Sequence, residues 1–185
     1  MRRYIILATS TLILGCTNIE TNYFIFKEPT VAGSYKNRNL DVIGIEKILL
    51  PAYFKQNKIV IQTSSTQIKY LESDKWAEDM ETSLTKKLIT IIQKSFNHPR
   101  VYSYPWGVAT QPTTRISVSV SRFIEYNGYI YLDGKWEINR DNHKSKSSLF
   151  SIKIETKRDT KSIVNNMNRA FDMLSHKIVI ELSRR

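Results

Sequence analysis

Apolar residues recur along this chain with two different periods. From Ile116 onward the period is two: Ile116, Val118, Val120, Ile124 and Tyr126 share one parity, and Ser117, Ser119 and Ser121 hold the other. That alternation predicts a half-buried strand. Asn127-Gly128 follows, a pair that tolerates positive φ and suits a two-residue hairpin turn. A return strand places Ile130, Leu132, Trp136 and Ile138 on one face; after a polar turn at 141–146, Phe150, Ile152 and Ile154 continue in a third strand. The expected unit is an antiparallel meander with one buried face.

Two other segments have the helical period. Trp76, Met80, Leu84, Leu88, Ile91 and Ile92 recur at spacings of three and four and form one stripe. Asp74 is the expected N-cap, Glu78, Asp79 and Glu81 fill the positive end of the dipole, and Lys86, Lys87 and Lys94 lie toward the negative end. Asn97-His98-Pro99 ends the helix. Near the carboxyl end Ile163, Met167, Ala170, Phe171, Leu174, Ile178 and Leu182 make a second stripe, capped by Asp159 or Thr160, with Arg184 and Arg185 at its negative end. Upstream, residues 23–26 read as a first strand and 28–40 as a loop. Residues 42–50 read as a buried strand stopped by Pro51, and 58–63 and 67–71 as two short strands. Residues 23–185 are therefore expected to form a single α/β (α+β) sandwich: a mixed, largely antiparallel sheet under two long amphipathic helices.

The amino terminus obeys neither period. Arg2 and Arg3 precede an apolar run from Tyr4 to Leu14 that is too short to span a bilayer as a helix, and Gly15 and Cys16 follow. A small residue, then a cysteine with nothing apolar behind it, reads as a bacterial lipoprotein signal. Residues 1–15 are the expected signal peptide, with cleavage between Gly15 and Cys16, and residues 16–22 a lipidated tether. The Cys16 thiol would carry diacylglycerol and its new amino group an acyl chain; two or three chains hold a protein durably at a membrane. Residues 17–22, six in all, reach at most about 20 Å, so the domain should ride close to its membrane. Cys16 is the sole cysteine, which excludes an intramolecular disulfide and leaves stability to packing.

Charge changes the list of partners. The chain holds 28 Lys and Arg against 17 Asp and Glu, a formal net charge of +11. Behind an export signal the anions at hand are lipid headgroups, lipopolysaccharide, wall polymer or an acidic protein, and nucleic acid is not expected. The lysines are scattered without a run of five, as on a solvated surface.

Candidate chemistry is sparse. The sequence has no glycine-rich phosphate loop, no Gly-x-Ser-x-Gly elbow and no His-Glu-x-x-His. His98, His143 and His176 are dispersed, and His176 with Asp172 reads as a surface i, i+4 pair. The expectation is a protein that is not an enzyme, with no metal and no cofactor beyond the lipid at Cys16. The aromatic residues Tyr102, Tyr104 and Trp106, together with Tyr53 and Phe54, are candidate contacts to a partner or a lipid chain; the alternative is that they roof one end of the core.

Several local patterns occur together: the early Tyr23-Phe24, Leu50-Pro51-Ala52-Tyr53-Phe54 followed by Ile59-Val60, Lys75-Trp76-Ala77-Glu78, Tyr104-Pro105-Trp106 and Arg115-Ile116-Ser117-Val118. In this order they resemble the auxiliary lipoproteins of ABC-type transporters, the PqiC-like (YmbA-like) family, over nearly the whole mature chain. The chain departs from that pattern at Phe54-Lys55-Gln56-Asn57 and at Gln62, which stands where an arginine is common. The resemblance implies a fold similar to the TolB N-terminal domain. It also implies work beside an MCE-domain protein and an ABC permease and ATPase, in moving lipid or another hydrophobic solute between membranes, with a homo-oligomer among the expected assemblies. Thr17 lacks the aspartate that retains many lipoproteins at the inner membrane, which favours the outer membrane, facing the periplasm. Alternatives from other classes are a lipid carrier sheltering an acyl chain between sheet and helices, and a structural cell-envelope lipoprotein.

Overall fold

The computed structural model describes residues 20–29, 35, 42–98, 100–107, 109, 111–141 and 144–184. In chain order these form β1 (Asn22–Phe24), β2 (Ile43–Ile45), a 3₁₀ turn (Ala52–Gln56), β3 (Lys58–Gln62), β4 (Ile68–Trp76), α1 (Met80–Phe96), β5 (Val101–Ser103), β6 (Thr114–Tyr126), β7 (Tyr129–Arg140), β8 (Lys146–Glu155) and α2 (Thr160–Ser183).

The sheet is organised around β6, whose alternating pattern runs for 13 residues. β7 pairs antiparallel with its whole length and β8 pairs antiparallel with β7. The turn between β6 and β7 is the expected Asn127-Gly128, both at positive φ. Three pieces follow one another in parallel along the other side of β6. Ile43 pairs with Thr114, Leu49 bridges to Ser119, and Ile61 pairs with Glu125. Residues 42–50 are thus not one strand: β2 ends at Ile45, and Pro51 with the 3₁₀ turn lifts the chain off the sheet before β3 returns. Beyond β3 lie β4, antiparallel, and β1, parallel to β4; beyond β2 lies β5. The result is an eight-stranded, mixed, mostly antiparallel sheet with two helices, the α+β class that the periodicities predict.

Both helical stripes pack on one face of the sheet. Leu84, Leu88, Ile91 and Phe96 of α1 and Ile163, Phe171, Leu174 and Ile178 of α2 share a core with Ile116, Val118, Ile130, Leu132 and Ile152. The opposite face carries Ser117, Ser119, Lys135, Leu149 and Ser151, which are exposed or half-buried.

Two further expectations need correction. Helix α1 begins at Met80, not after Asp74, and its N-cap is Asp79, whose carboxylate accepts from the Thr82 N–H at 2.9 Å. Trp76 stays in β4 because β1 pairs with it: Phe24 is its register partner, the Trp76 N–H reaches Asn57 O at 2.7 Å, and its indole stacks on Phe26 at 5.2 Å. Asp74 instead accepts from Asn22 and from the Thr160 hydroxyl, tying β4 to the start of α2. The second correction lies in β6, where a bulge between Val120 and Arg122 reverses the parity. Phe123 consequently enters the core opposite Leu132, while Arg122 and Ile124 turn to the open face. Gly134, the partner of Val120, is obligatory there, because a Cβ would stand 2.2 Å from Ser119 O.

Helix α2 starts where expected, with the Asp159 carboxylate accepting from the Ser162 N–H at 2.9 Å.

Candidate functional site

Gly15, Cys16 and most of the 28–40 loop lie outside the described residues, as do Pro99, His143 and Arg185. Among the described residues no helix is long and apolar enough to cross a membrane, and no group of His, Cys, Asp or Glu could hold a metal ion.

The aromatic candidates divide by position. Tyr102 lies in β5 beside Gly44 of β2 and is half-buried. Gly44 sits between the core residues Ile43 and Ile45, so a side chain there would point to the open face. That space is taken: a Cβ at Gly44 would stand 2.7 Å from both the Trp106 ring and Pro112 Cγ. The chain after β5 therefore folds back over the sheet, with the Trp106 indole and Pro112 lying on bare backbone. Tyr104 packs edge-on against Trp106 at 5.1 Å between ring centroids, yet is 62% exposed. The structure brings Tyr104 and Trp106 together, and Tyr104 is the member of the pair that offers an open surface.

Tyr53 and Phe54 serve the fold. Phe54 is 4% exposed and meets Phe123 at 6.1 Å between centroids, so its ring is core and has no surface left for a partner. Its selection as a contact residue is corrected by the 3₁₀ turn, which points it inward. Tyr53 is half-buried, and its hydroxyl accepts from the Phe123 N–H at 2.9 Å. That donor lies just past the bulge, where it would otherwise be unpaired. Burial pushes the Tyr53 phenol above the ordinary tyrosine value, partly offset by the Phe123 N–H.

The open face holds a cluster that periodicity did not reveal. The Arg122 guanidinium lies 3.9 Å from the Tyr131 ring centre and donates to Gln62 Oε1 at 2.9 Å, and the Lys153 ammonium lies 3.9 Å from the Tyr129 ring centre. Cations on the faces of tyrosines gain electrostatic attraction while staying wet. The bulge hides this set from a pattern that assigns one parity to all of β6. Gln62, read as a lost arginine, here receives one.

Asp172 does not pair with His176. Its Oδ1 lies 3.0 Å from Lys87 Nζ, which is buried between the helices, and its Oδ2 accepts from Asn168 at 3.1 Å. Lys87 also donates to Lys27 O at 2.8 Å, and the Lys27 N–H donates to Asn168 at 3.1 Å. Both helices and the segment after β1 are joined by this network.

These features form surfaces and braces. The family profile for the ABC-type transport auxiliary lipoprotein component matches residues 24–179. The intermembrane transport lipoprotein PqiC of Escherichia coli K12 is 24% identical over 143 residues, 75% of each chain, and PqiC of Shigella flexneri matches equally. Among crystal structures, one of an uncharacterized protein superposes with a TM-score of 0.71 at 18% identity, covering 88% of this chain and 99% of the other. A Xanthomonas campestris protein gives 0.67 at 11% identity, covering 86% and 93%. Those two likenesses show a shared fold. The match over residues 24–179 shows more: the chain belongs to the ABC-type transport auxiliary lipoprotein family.

Proposed function

We propose that this protein is a lipid-anchored periplasmic docking subunit, held by diacylglycerol and N-acyl chains on Cys16 in the outer membrane. In this reading it grips the periplasmic end of an MCE-type conduit served by an ABC permease and ATPase, which moves lipid or another hydrophobic solute between the two membranes. The observation that carries it is the family match from residue 24 to residue 179, directly behind a signal that ends at Cys16. The packing supports a dock over a carrier: Leu84, Leu88, Phe171, Leu174 and Ile178 fill the space between helices and sheet where an acyl chain would lie.

The test has two arms. Radiolabelled palmitate should enter the parent and not Cys16→Ala, and the parent should sediment with outer membrane. Isolated in mild detergent from cells with an intact MCE operon, the lipoprotein should bring the MCE protein with it. Unlabelled parent protein would remove the anchor, and repeated isolation without the MCE protein would remove the dock.

A further inference from the structure

β8 is an edge strand: its neighbour is β7, and among the described residues no strand pairs with its other side. The direction of its backbone groups follows from one bond. Thr156 N donates to Gly128 O at 2.8 Å, at the end of the β7 ladder. Alternate residues of a strand aim their N–H the same way, so Ile154, Ile152 and Phe150 donate into the sheet. The N–H groups of Lys153, Ser151 and Leu149 point outward.

Beside this edge, α2 presents a stripe at spacings of three and four, Arg169, Met173, Lys177 and Ile180, with Arg184 just past the helix end. Two hollows, of about 750 and 710 Å³, lie between the stripe and β8; Trp136 and Phe150 line the first, Ile154 and Met173 the second. Leu149 is 84% exposed at the rim. The groups facing the hollows are mainly cations: Lys146, Lys177 and Arg184 at one, Lys157 and Arg169 at the other, while the Lys153 ammonium lies across the strand on the Tyr129 ring. The opposing carboxylates are Glu155 and Glu181, and Glu181 is already paired with Lys146 and, at 3.2 Å, with Arg184.

We infer that the β8 edge and the adjoining α2 stripe form a docking groove for an extended acidic segment of a partner protein, which adds to the sheet as a ninth strand. Outward N–H groups supply main-chain bonds, the two hollows take alternate apolar side chains, and the cations select acidic ones. A second copy of the chain fits poorly, because it would set the same cations against each other; lysines on an edge strand also guard against self-pairing. The groove lies on the edge of the sheet far from β1, where the proposed tether would join. β1, the first element after residues 16–22, is the opposite edge, five strand spacings or about 24 Å away. Only that relation to the tether rests on the proposed lipid anchor; the edge and its charge do not.

The probe is a fluorescein-labelled octapeptide alternating Glu and Val, titrated against the full chain in detergent and read by anisotropy. Saturable binding is expected, weakened by high salt, with no binding of a Lys–Val octapeptide. Ser151→Pro removes one outward N–H that no bond among the described residues uses, and should weaken binding roughly tenfold, the worth of one or two hydrogen bonds. The pair Arg169→Glu and Lys177→Glu should do the same without touching the strand. Failure of the acidic peptide to bind, or undiminished affinity in both folded variants, would overturn the groove. A fall in molecular mass on Ser151→Pro would assign the edge to a second copy, and loss of anionic-vesicle binding without loss of peptide binding would assign it to a membrane. Cys16→Ala should bind the peptide as the parent does, so a failed anchor and a failed groove give different results.

Discussion

Lys87 of α1 and Asp172 of α2 form an ion pair across the helix interface, Nζ to Oδ1 at 3.0 Å, with the lysine side chain 4% exposed and the aspartate 31%. The asymmetry of burial makes the two halves unequal. Lys87 has Lys27 O as its other partner, whereas Asp172 keeps partial access to water.

Removing the aspartate should therefore cost more than removing the lysine. Asp172→Ala leaves a buried cation without its counter-charge and should lower stability by about 3–5 kcal/mol. Lys87→Met keeps the volume and leaves an aspartate whose side chain is 31% exposed and whose Oδ2 still accepts from Asn168, although Oδ1 itself is buried, so its loss should be smaller. Urea denaturation of the two variants and the double variant gives the order; an equal cost for both would refute it.

Tyr53→Phe should lower stability by about 1–3 kcal/mol, because it deletes the acceptor for the Phe123 N–H and leaves that donor unpaired beside the bulge. Amide hydrogen exchange at Phe123 should accelerate more than at Val118, which lies before the bulge. Unchanged protection at Phe123 would show that the hydroxyl is dispensable.

Gly44→Ala should dislodge Trp106, since the new methyl carbon would stand 2.7 Å from the indole. A cost of about 1–3 kcal/mol is expected for such overpacking, with tryptophan emission moving to longer wavelength as Trp106 meets water. Trp76 and Trp136 are buried elsewhere and should keep their share of the spectrum.

Asp79 should contribute at neutral pH and fail in acid. Its carboxyl is held below the ordinary aspartate value, first by the Thr82 hydroxyl, then by the Thr82 N–H and Lys47, against the opposing effect of burial. A depressed folded value means that the stabilisation is complete above the unfolded carboxylate value of about 4. It is lost as pH falls through the folded value. Asp79→Ala should cost about 1 kcal/mol at pH 7, as loss of a helix cap does, and the gap from the parent should close below about pH 4. A gap that widened in acid would contradict the cap.

Much of the fold was legible because its cause is local. The period of two in β6 to β8, the Asn127-Gly128 turn and the stripes of α1 and α2 depend on neighbours within a few residues, so the pattern alone places them. The start of α1 was not legible for the opposite reason. Trp76 stands four residues before Met80 and continues the helical phase, and Asp74 is as good a cap in sequence as Asp79. Pairing with Asn22–Phe24, more than fifty residues earlier, keeps Trp76 extended. The candidate surface was partly legible: Tyr104 and Trp106 do come together, but whether an aromatic is roof or handle depends on what lies beneath it, and Gly44 is sixty residues away.

The order of residues alone determined the class of fold, the two helical faces and the hairpin, since each is written in spacing that neighbouring residues enforce; the likeness to the family was carried by its local motifs. Tertiary structure decided the bulge that turns Phe123 inward, the burial of Lys87 against Asp172 and the inward turn of Phe54. It also decided that β8 ends on an edge of the sheet, beside α2. Each of these is a choice between partners far apart in the chain, and only the closing of the sheet over its two helices brings those partners within reach.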